Sequence, residues 1–84
     1  MLGLMQDWPL LVHKLLDHAA ENHGAREIVS RAADGALHRT DYATVRSRAR
    51  KLAKALDRRG VRKGDRIATL AWNSYRHLEC WYGT

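Results

Sequence analysis

Residues 37–72 (LHRTDYATVRSRARKLAKALDRRGVRKGDRIATLAW) constrain the fold most strongly, because they carry signals for a strand, a helix, a helix stop and a second strand in immediate succession. When six apolar residues in the middle are placed on a helix, they fall within an arc of roughly 100°. They are Tyr42, Val45, Ala49, Leu52, Ala53 and Leu56. The sequence therefore predicts a helix with one buried face, with Thr40 as its N-cap and Asp41 near its positive end.

The end of this helix is predicted at Gly60. A glycine at the C′ position adopts the left-handed backbone of a Schellman motif, and Val61 then covers Leu56. Arg58 and Arg59 suit the negative end of the helix dipole.

A second strand is predicted after a turn at Lys63-Gly64. The middle of residues 66–72 (RIATLAW) is apolar on both faces, a pattern typical of a strand that is covered on both sides in a parallel sheet. Such a strand needs neighbouring strands and a second layer, which the rest of the chain is too short to supply. We therefore expect an incomplete sheet.

Elements on the N-terminal side complete the order. A first helix is predicted from Trp8-Pro9, with Pro9 at its first position and Gly24 as its stop. Residues 27–31 and 36–40 are predicted to form a hairpin across a tight turn at Asp34-Gly35.

A third helix is predicted for residues 75–83, with Asn73 or Ser74 as its cap. The order is then helix, β-hairpin, helix, buried strand and helix, which indicates an α/β fold. With 84 residues the chain forms a single unit.

The cysteine count and the lack of a targeting segment indicate the cellular compartment. The single cysteine, Cys80, excludes an intramolecular disulfide and a multi-cysteine zinc site, which fits a reducing setting. The N-terminal region lacks the basic start of a signal peptide, and no segment approaches the roughly 20 apolar residues of a membrane span. A cytoplasmic protein is predicted, with no transmembrane segment and with peripheral membrane attachment left open.

The net charge of +6 raises the hypothesis of an anionic partner, because 11 of the 15 lysines and arginines lie between Arg39 and Arg66. Six basic residues lie on the helix opposite its apolar stripe. They are Arg48, Arg50, Lys51, Lys54, Arg58 and Arg59. No helix-turn-helix, zinc-finger, RNP or KH pattern accompanies them, so a solvated face is favoured and no nucleic acid partner is expected. An autonomous basic module that binds nucleic acid or anionic membrane is the alternative.

Candidate catalytic and metal-binding residues do not converge. His13, His18 and His23 lie five residues apart, about 140° apart around a helix axis, and so cannot share one ion. The pair His77 and Cys80 offers only two ligands. The serines lack a nucleophile-elbow context and the glycines never cluster into a phosphate-binding loop. The chain is therefore predicted to hold no catalytic, cofactor-binding or metal-binding residue.

A family resemblance runs from residue 37 onward. The matching residues, in order, are Tyr42, Ala49, Leu52, Ala53, Leu56, Gly60-Val61, Gly64-Asp65-Arg66-Ile67-Ala68 and Asn73. Their order and spacing resemble the N-terminal region of the adenylate-forming acyl-CoA synthetases and ligases. Residues 1–24 and 68–83 look like those of bacterial medium- and long-chain fatty-acid ligases.

The resemblance implies a parent acid-thiol ligase. Such an enzyme uses ATP and magnesium to convert a carboxylic acid to an acyl-adenylate, and then transfers the acyl group to coenzyme A. The motifs for that chemistry do not occur in these residues, so no catalytic residue is carried over. Residues 1–84 would be an inactive N-terminal scaffolding fragment of the large adenylation domain, partnered by the remainder of the parent chain. Because residues 67–72 would expose unpaired strand edges and apolar faces, the isolated fragment is separately expected to form a homo-oligomer or a swapped dimer.

Overall fold

The computed structural model describes residues 3–4 and 6–84. This part of the chain forms an α/β arrangement of three helices and one two-stranded antiparallel sheet. In chain order the elements are α1 (His13–His23), β1 (Glu27–Arg31), β2 (Leu37–Asp41), α2 (Tyr42–Arg58) and α3 (Tyr75–Gly83).

The core forms around α2, which packs against both other helices. Val45 is fully buried and Ala49 almost so, and Leu16 of α1 completes the buried cluster. Partly buried side chains from the other elements surround this cluster; they are Ile28, Tyr42, Leu78 and Tyr82. The predicted apolar face of α2 is confirmed, except that Ala53 is exposed.

The C-terminal end of α2 confirms the predicted Schellman motif. The Val61 amide donates to the Leu56 carbonyl at 3.2 Å, and the Gly60 amide donates to the Asp57 carbonyl at 3.0 Å. Gly60 has a φ of +85°, in the left-handed region that a glycine adopts without steric cost.

The N-cap of α2 is Asp41, so the prediction of Thr40 was wrong. An Asp41 carboxylate oxygen accepts the Thr44 amide at 2.8 Å. Thr40 instead lies in β2 opposite Ile28, so strand pairing holds it one residue before the cap position. The hydrogen bonds from Thr44 lower the pKa of Asp41 below its ordinary value of 3.8.

The β-hairpin is confirmed, with a longer turn than predicted. Val29 lies opposite Arg39 and Arg31 opposite Leu37. A two-residue type I′ turn would need positive φ at both central positions, and Gly35 alone satisfies that condition among the described residues of this turn. The Gly35 amide donates to the Ala32 carbonyl at 2.9 Å, which makes a type I turn that ends in a left-handed glycine.

The first helix begins later than predicted. α1 starts at His13, and its N-cap position is Val12, which has no side chain that can cap a helix. Leu10, Leu11 and Val12 are all exposed, so no buried contact stabilises a helical turn that starts at Pro9. The predicted end is confirmed, because α1 stops at His23 with Gly24 at its C-cap.

The buried strand predicted for residues 66–72 is absent from the described structure. These residues have no regular secondary structure and are all exposed. Leu70 is fully accessible and Trp72 is 82% exposed. The hairpin strands pair only with each other, so no strand adjoins this segment and nothing covers its two faces. We refer to residues 66–72 as the exposed segment.

Helix α3 is confirmed from Tyr75 to Gly83, with Ser74 at its N-cap position. Gly83 allows the close contact between α3 and α2, because a Cβ atom there would lie 2.9 Å from both the Ala49 carbonyl oxygen and Leu52 Cδ2. The two helices therefore pack backbone against backbone at this point.

The Asp41 cap predicts a specific pH dependence. A lowered folded-state pKa means that the carboxylate stabilises the fold fully above about pH 4, and that this contribution is lost as the pH falls through the folded pKa. Asp41→Asn keeps a capping oxygen without titrating. Urea unfolding followed by circular dichroism from pH 6 to pH 2.5 should show the wild type losing stability relative to Asp41→Asn below pH 4. Asp41→Ala should be less stable than both at pH 6, and superimposable wild-type and Asp41→Asn profiles would contradict the assignment.

Candidate functional site

An open cleft of about 520 Å³ lies between α1, α2 and the end of α3. Its apolar wall includes Leu11, Val12 and Trp81, and its polar wall includes Asp17 and Arg46. Arg46 Nε donates to Asp17 Oδ1 at 2.9 Å, and Arg46 Nη2 lies 3.4 Å from Glu21 Oε1. The charged groups of the cleft are therefore already engaged in joining α1 to α2.

Arg46 was not among the basic residues singled out in the sequence, yet it is the most engaged of the α2 arginines in the described structure. Its side chain is 23% exposed and its two acidic partners are four residues apart on α1. That spacing places both acids on one face of α1 and is the sequence signal for the contact. Arg50 adds a longer contact of 3.7 Å to Asp17.

A buried carboxylate joins α2 to α3. Glu79 is 7% exposed, and its Oε1 accepts a hydrogen bond of 2.6 Å from Arg48 Nε. The hydrogen bond and then the charge of Glu79 raise the pKa of the Arg48 guanidinium above its ordinary value. A buried acid is a common feature of catalytic sites, but this one is neutralised by a hydrogen-bonded cation and so acts in packing.

A second cleft, of about 600 Å³, lies between the hairpin turn and the start of α3. His38 of β2 stacks on Tyr75 there, with ring centroids 3.6 Å apart and ring planes 11° apart. The Nδ1 atom of His38 is buried and has no hydrogen-bond partner. Trp72 lines the same cleft from the exposed segment, which gives the cleft an aromatic wall, and Arg31 and Asp34 line its hairpin end.

Two of the remaining histidines contact each other, and a third contacts neutral groups. The rings of His18 and His23 on α1 meet edge to face with centroids 6.0 Å apart. On α3, His77 Nε2 lies 3.1 Å from both Thr69 Oγ1 and Trp81 Nε1. Within residues 3–4 and 6–84 no three histidine, cysteine or acidic side chains are grouped so that they could hold a metal ion.

The basic face of α2 is exposed, as the sequence indicated, but two of its six members form ion pairs within the chain. Arg48 contacts Glu79 and Arg50 contacts Asp17.

The turn residues Gly60 and Gly64 follow this helix. The second turn is closed by a 2.8 Å hydrogen bond that the Arg62 amide donates to the Asp65 carboxylate. The prediction that these two glycines form turns is confirmed.

In the part of the chain that the structure describes, no helix is long and apolar enough to cross a bilayer.

Comparison with known proteins identifies relatives over nearly the whole chain. A family model described as AMP-binding enzyme matches residues 16–84. A 3-methylmercaptopropionyl-CoA ligase of Ruegeria lacuscaerulensis is 49% identical over 82 residues, and a medium-chain-fatty-acid–CoA ligase of Ectopseudomonas oleovorans is also 49% identical over 82 residues. A long-chain-fatty-acid–CoA ligase of Thermus thermophilus is 46% identical over 78 residues.

The matches differ greatly in the share of each protein that they cover. They include 98% of this chain for the first two relatives and 93% for the third. The chain spans only about 15% of the length of the curated relatives.

Because the Arg48–Glu79 pair is more buried than the Arg39–Glu27 pair, its loss should lower the free energy of unfolding by more. Arg48→Ala leaves the buried Glu79 carboxylate without its partner, which should lower the free energy of unfolding by about 1–3 kcal/mol. The matched control is Arg39→Ala, whose partner Glu27 is 58% exposed and whose loss should cost about 0–1 kcal/mol. Urea unfolding at pH 7 measures both, and Glu79→Gln added to Arg48→Ala should recover part of the first loss. Equal costs for the two arginines would show that burial does not strengthen the Glu79 contact.

Proposed function

Because the chain belongs to the AMP-binding enzyme family, we propose that it is an N-terminal scaffolding part of a cytoplasmic fatty-acid–CoA ligase. The complete ligase would use ATP and magnesium to activate a fatty acid as its acyl-adenylate with release of pyrophosphate, and would then form a thioester with coenzyme A. The observation that carries the proposal is the match of residues 16–84 to the family model, together with CoA-ligase relatives at 45–49% identity.

The substrate class follows the printed names of the relatives. Two of them are fatty-acid–CoA ligases and two are 3-methylmercaptopropionyl-CoA ligases, and each name describes a carboxylic acid joined to the thiol of coenzyme A. An acid-thiol ligase is therefore the shared activity.

The scaffolding role is supported by the charges and clefts of the described residues. The acids Asp17, Glu21 and Glu79 are each paired with an arginine, so none is free to bind a cation. No three histidine, cysteine or acidic side chains are grouped among the described residues, which supports placing the magnesium–ATP site elsewhere in the ligase. We assign ATP, magnesium and coenzyme A to other residues of the ligase.

The exposed segment supports a place for this chain inside a larger domain. Residues 66–72 have the composition of a strand that is covered on both faces, yet Ile67, Leu70 and Trp72 are exposed. The Cα radius of gyration of 15.3 Å exceeds the roughly 12 Å typical of a compact domain of this length. Strands from the remainder of the large domain would pair with the segment, and its other layers would cover both faces of the sheet that results.

The first test is enzymatic. ATP–pyrophosphate exchange with medium- and long-chain fatty acids should be undetectable for these 84 residues and readily measured for a ligase that contains them. The 84 residues should be inactive because the proposal places ATP, magnesium and coenzyme A on other residues of the ligase. Exchange activity by the 84 residues would overturn the scaffolding role, and an inactive complete ligase would overturn the assigned reaction.

The second test compares one substitution in two contexts. Leu70→Asp should change the unfolding free energy of the 84-residue chain by less than about 0.5 kcal/mol, because Leu70 is fully exposed there. In the complete ligase the same change would bury a charge in a sheet and should cost several kcal/mol, seen as loss of soluble enzyme or a lowered melting temperature. Lys63→Asp, in the turn before the segment, is the matched control and should be mild in both contexts. If Leu70→Asp left the amount of soluble enzyme and the melting temperature of the complete ligase unchanged, the buried-strand placement would be refuted.

A further inference from the structure

The net charge of the chain is concentrated in one stretch. Residues 50–66 contain eight of the 15 lysines and arginines and two of the nine acids, which gives this stretch a charge of +6. The residues outside it hold seven basic and seven acidic side chains, so their charges cancel. The whole excess of positive charge therefore lies in one short stretch of the chain.

The basic side chains of this stretch are all exposed to solvent. They extend along the outer side of α2 into the turns that follow it; they are Arg50, Lys51, Lys54, Arg58, Arg59, Arg62, Lys63 and Arg66. We refer to these eight residues as the basic patch. Arg50, Lys51 and Lys54 line one shallow cleft of about 340 Å³ on α2, so their charges are neighbours in space.

The charge of the basic patch is hardly neutralised within the chain. Outside the patch, Arg39, Arg46 and Arg48 each form an ion pair with an acid at 3.0, 2.9 and 2.6 Å. Of the patch residues, Arg50 alone forms an ion pair in the part of the chain that the structure describes, at 3.7 Å from Asp17. The other seven cations are available to an anionic surface.

The packing of α2 fixes the direction in which this charge points. Val45 and Ala49 bury the opposite face of the helix in the core, and both other helices pack against α2. A helix held in this way cannot turn its apolar face into a lipid bilayer, so its contact with a membrane would be electrostatic. Clusters of about four to eight lysines and arginines on one side of a helix attract anionic lipid headgroups.

The composition of the stretch favours lipid headgroups over nucleic acid. Residues 50–66 contain no aromatic side chain that could stack on a base, and no asparagine, glutamine, serine or threonine that could read a base edge. A fatty acid partitions into a bilayer through its acyl chain, because each buried methylene group is removed from water. An enzyme that takes such a substrate gains by lying on the membrane surface, and this step rests on the proposed function.

We propose that the basic patch is a docking surface for anionic lipid headgroups, and that it attaches the ligase reversibly to the membrane from which the fatty acid is drawn. The attachment is made by charge, so salt weakens it as the screening length falls from about 10 Å at 0.1 M to about 3 Å at 1 M. The apolar residues of the core take no part in it.

Sedimentation of the complete ligase with lipid vesicles tests the docking surface. At low salt the ligase should sediment with vesicles of phosphatidylcholine and phosphatidylglycerol and stay in solution with phosphatidylcholine alone, and about 1 M salt should release it. Failure to bind the anionic vesicles, or equal binding to both kinds, would overturn the proposal. Binding to a DNA duplex but not to the anionic vesicles would assign the patch to nucleic acid instead.

Two double variants of equal net charge locate the contact. Lys51→Gln/Lys54→Gln removes two charges from the patch, and the matched control Arg26→Gln/Arg31→Gln removes two exposed charges around β1. The patch variant should bind anionic vesicles about 25-fold more weakly, at about fivefold for each charge. The control should stay near the wild-type affinity. Equal losses in the two variants would show that net charge decides binding, and would overturn the patch as the docking surface.

Exchange activity separates the docking surface from the assigned reaction. Without vesicles, ATP–pyrophosphate exchange with a short, water-soluble fatty acid should be the same for Lys51→Gln/Lys54→Gln and the wild type. Exchange without vesicle binding would overturn the docking surface alone, whereas the expected vesicle binding without exchange would support the docking surface and overturn the reaction. A slower exchange in Lys51→Gln/Lys54→Gln would place these lysines in the reaction site and contradict their assignment to the membrane.

Discussion

The buried face of α2 supports the described fold, since α1, β1 and α3 all contribute side chains to the core around Val45 and Ala49. Val45 is the one fully buried large side chain among the described residues, and burial of a valine contributes roughly 1.5–3 kcal/mol. A core with so few buried residues gives little stability beyond the entropy cost of folding. Each contact that orients a helix on α2 therefore matters more than it would in a larger domain.

Arginine side chains provide that orientation on two sides of α2. Arg46 reaches Asp17 and Glu21 on α1, while Arg48 reaches Glu79 on α3. The Arg46–Asp17 and Arg48–Glu79 contacts are partly shielded from water, which strengthens a charge-assisted hydrogen bond relative to an exposed pair. The positive charge that raised the hypothesis of a phosphate-binding helix is thus used in part for internal packing. The family comparison gives the nucleic-acid alternative no support.

Local chemistry explains which features were predictable from sequence. The Schellman end at Gly60 and Val61, the hairpin and the bounds of α3 each depend on residues within a few positions of one another. The N-cap was misplaced by one residue because the pairing of Thr40 with Ile28 is a contact between distant parts of the sequence. The contacts of Arg46 and Arg48 depend on helix packing: the spacing of Asp17 and Glu21 marks an acidic face of α1, but no local pattern specifies which helix packs against that face. For the same reason, the stack of His38 on Tyr75 had no sequence signal.

The exposed segment shows most clearly where the sequence pattern and the structure disagree, because the predicted buried strand does not form in the described structure. The apolar residues of 66–72 suit a strand that has adjoining strands and a layer on each face. In the described structure no strand adjoins this segment, so it does not form a strand. Both ends of the segment are nevertheless anchored, by the hydrogen-bonded turn at Arg62 and Asp65 and by the start of α3 after Ser74. Fixed ends reduce the conformational entropy that is lost when a chain joins a sheet. In the proposed larger domain, the helices of this chain would thus aid assembly by holding this strand-forming segment close to the strands that pair with it.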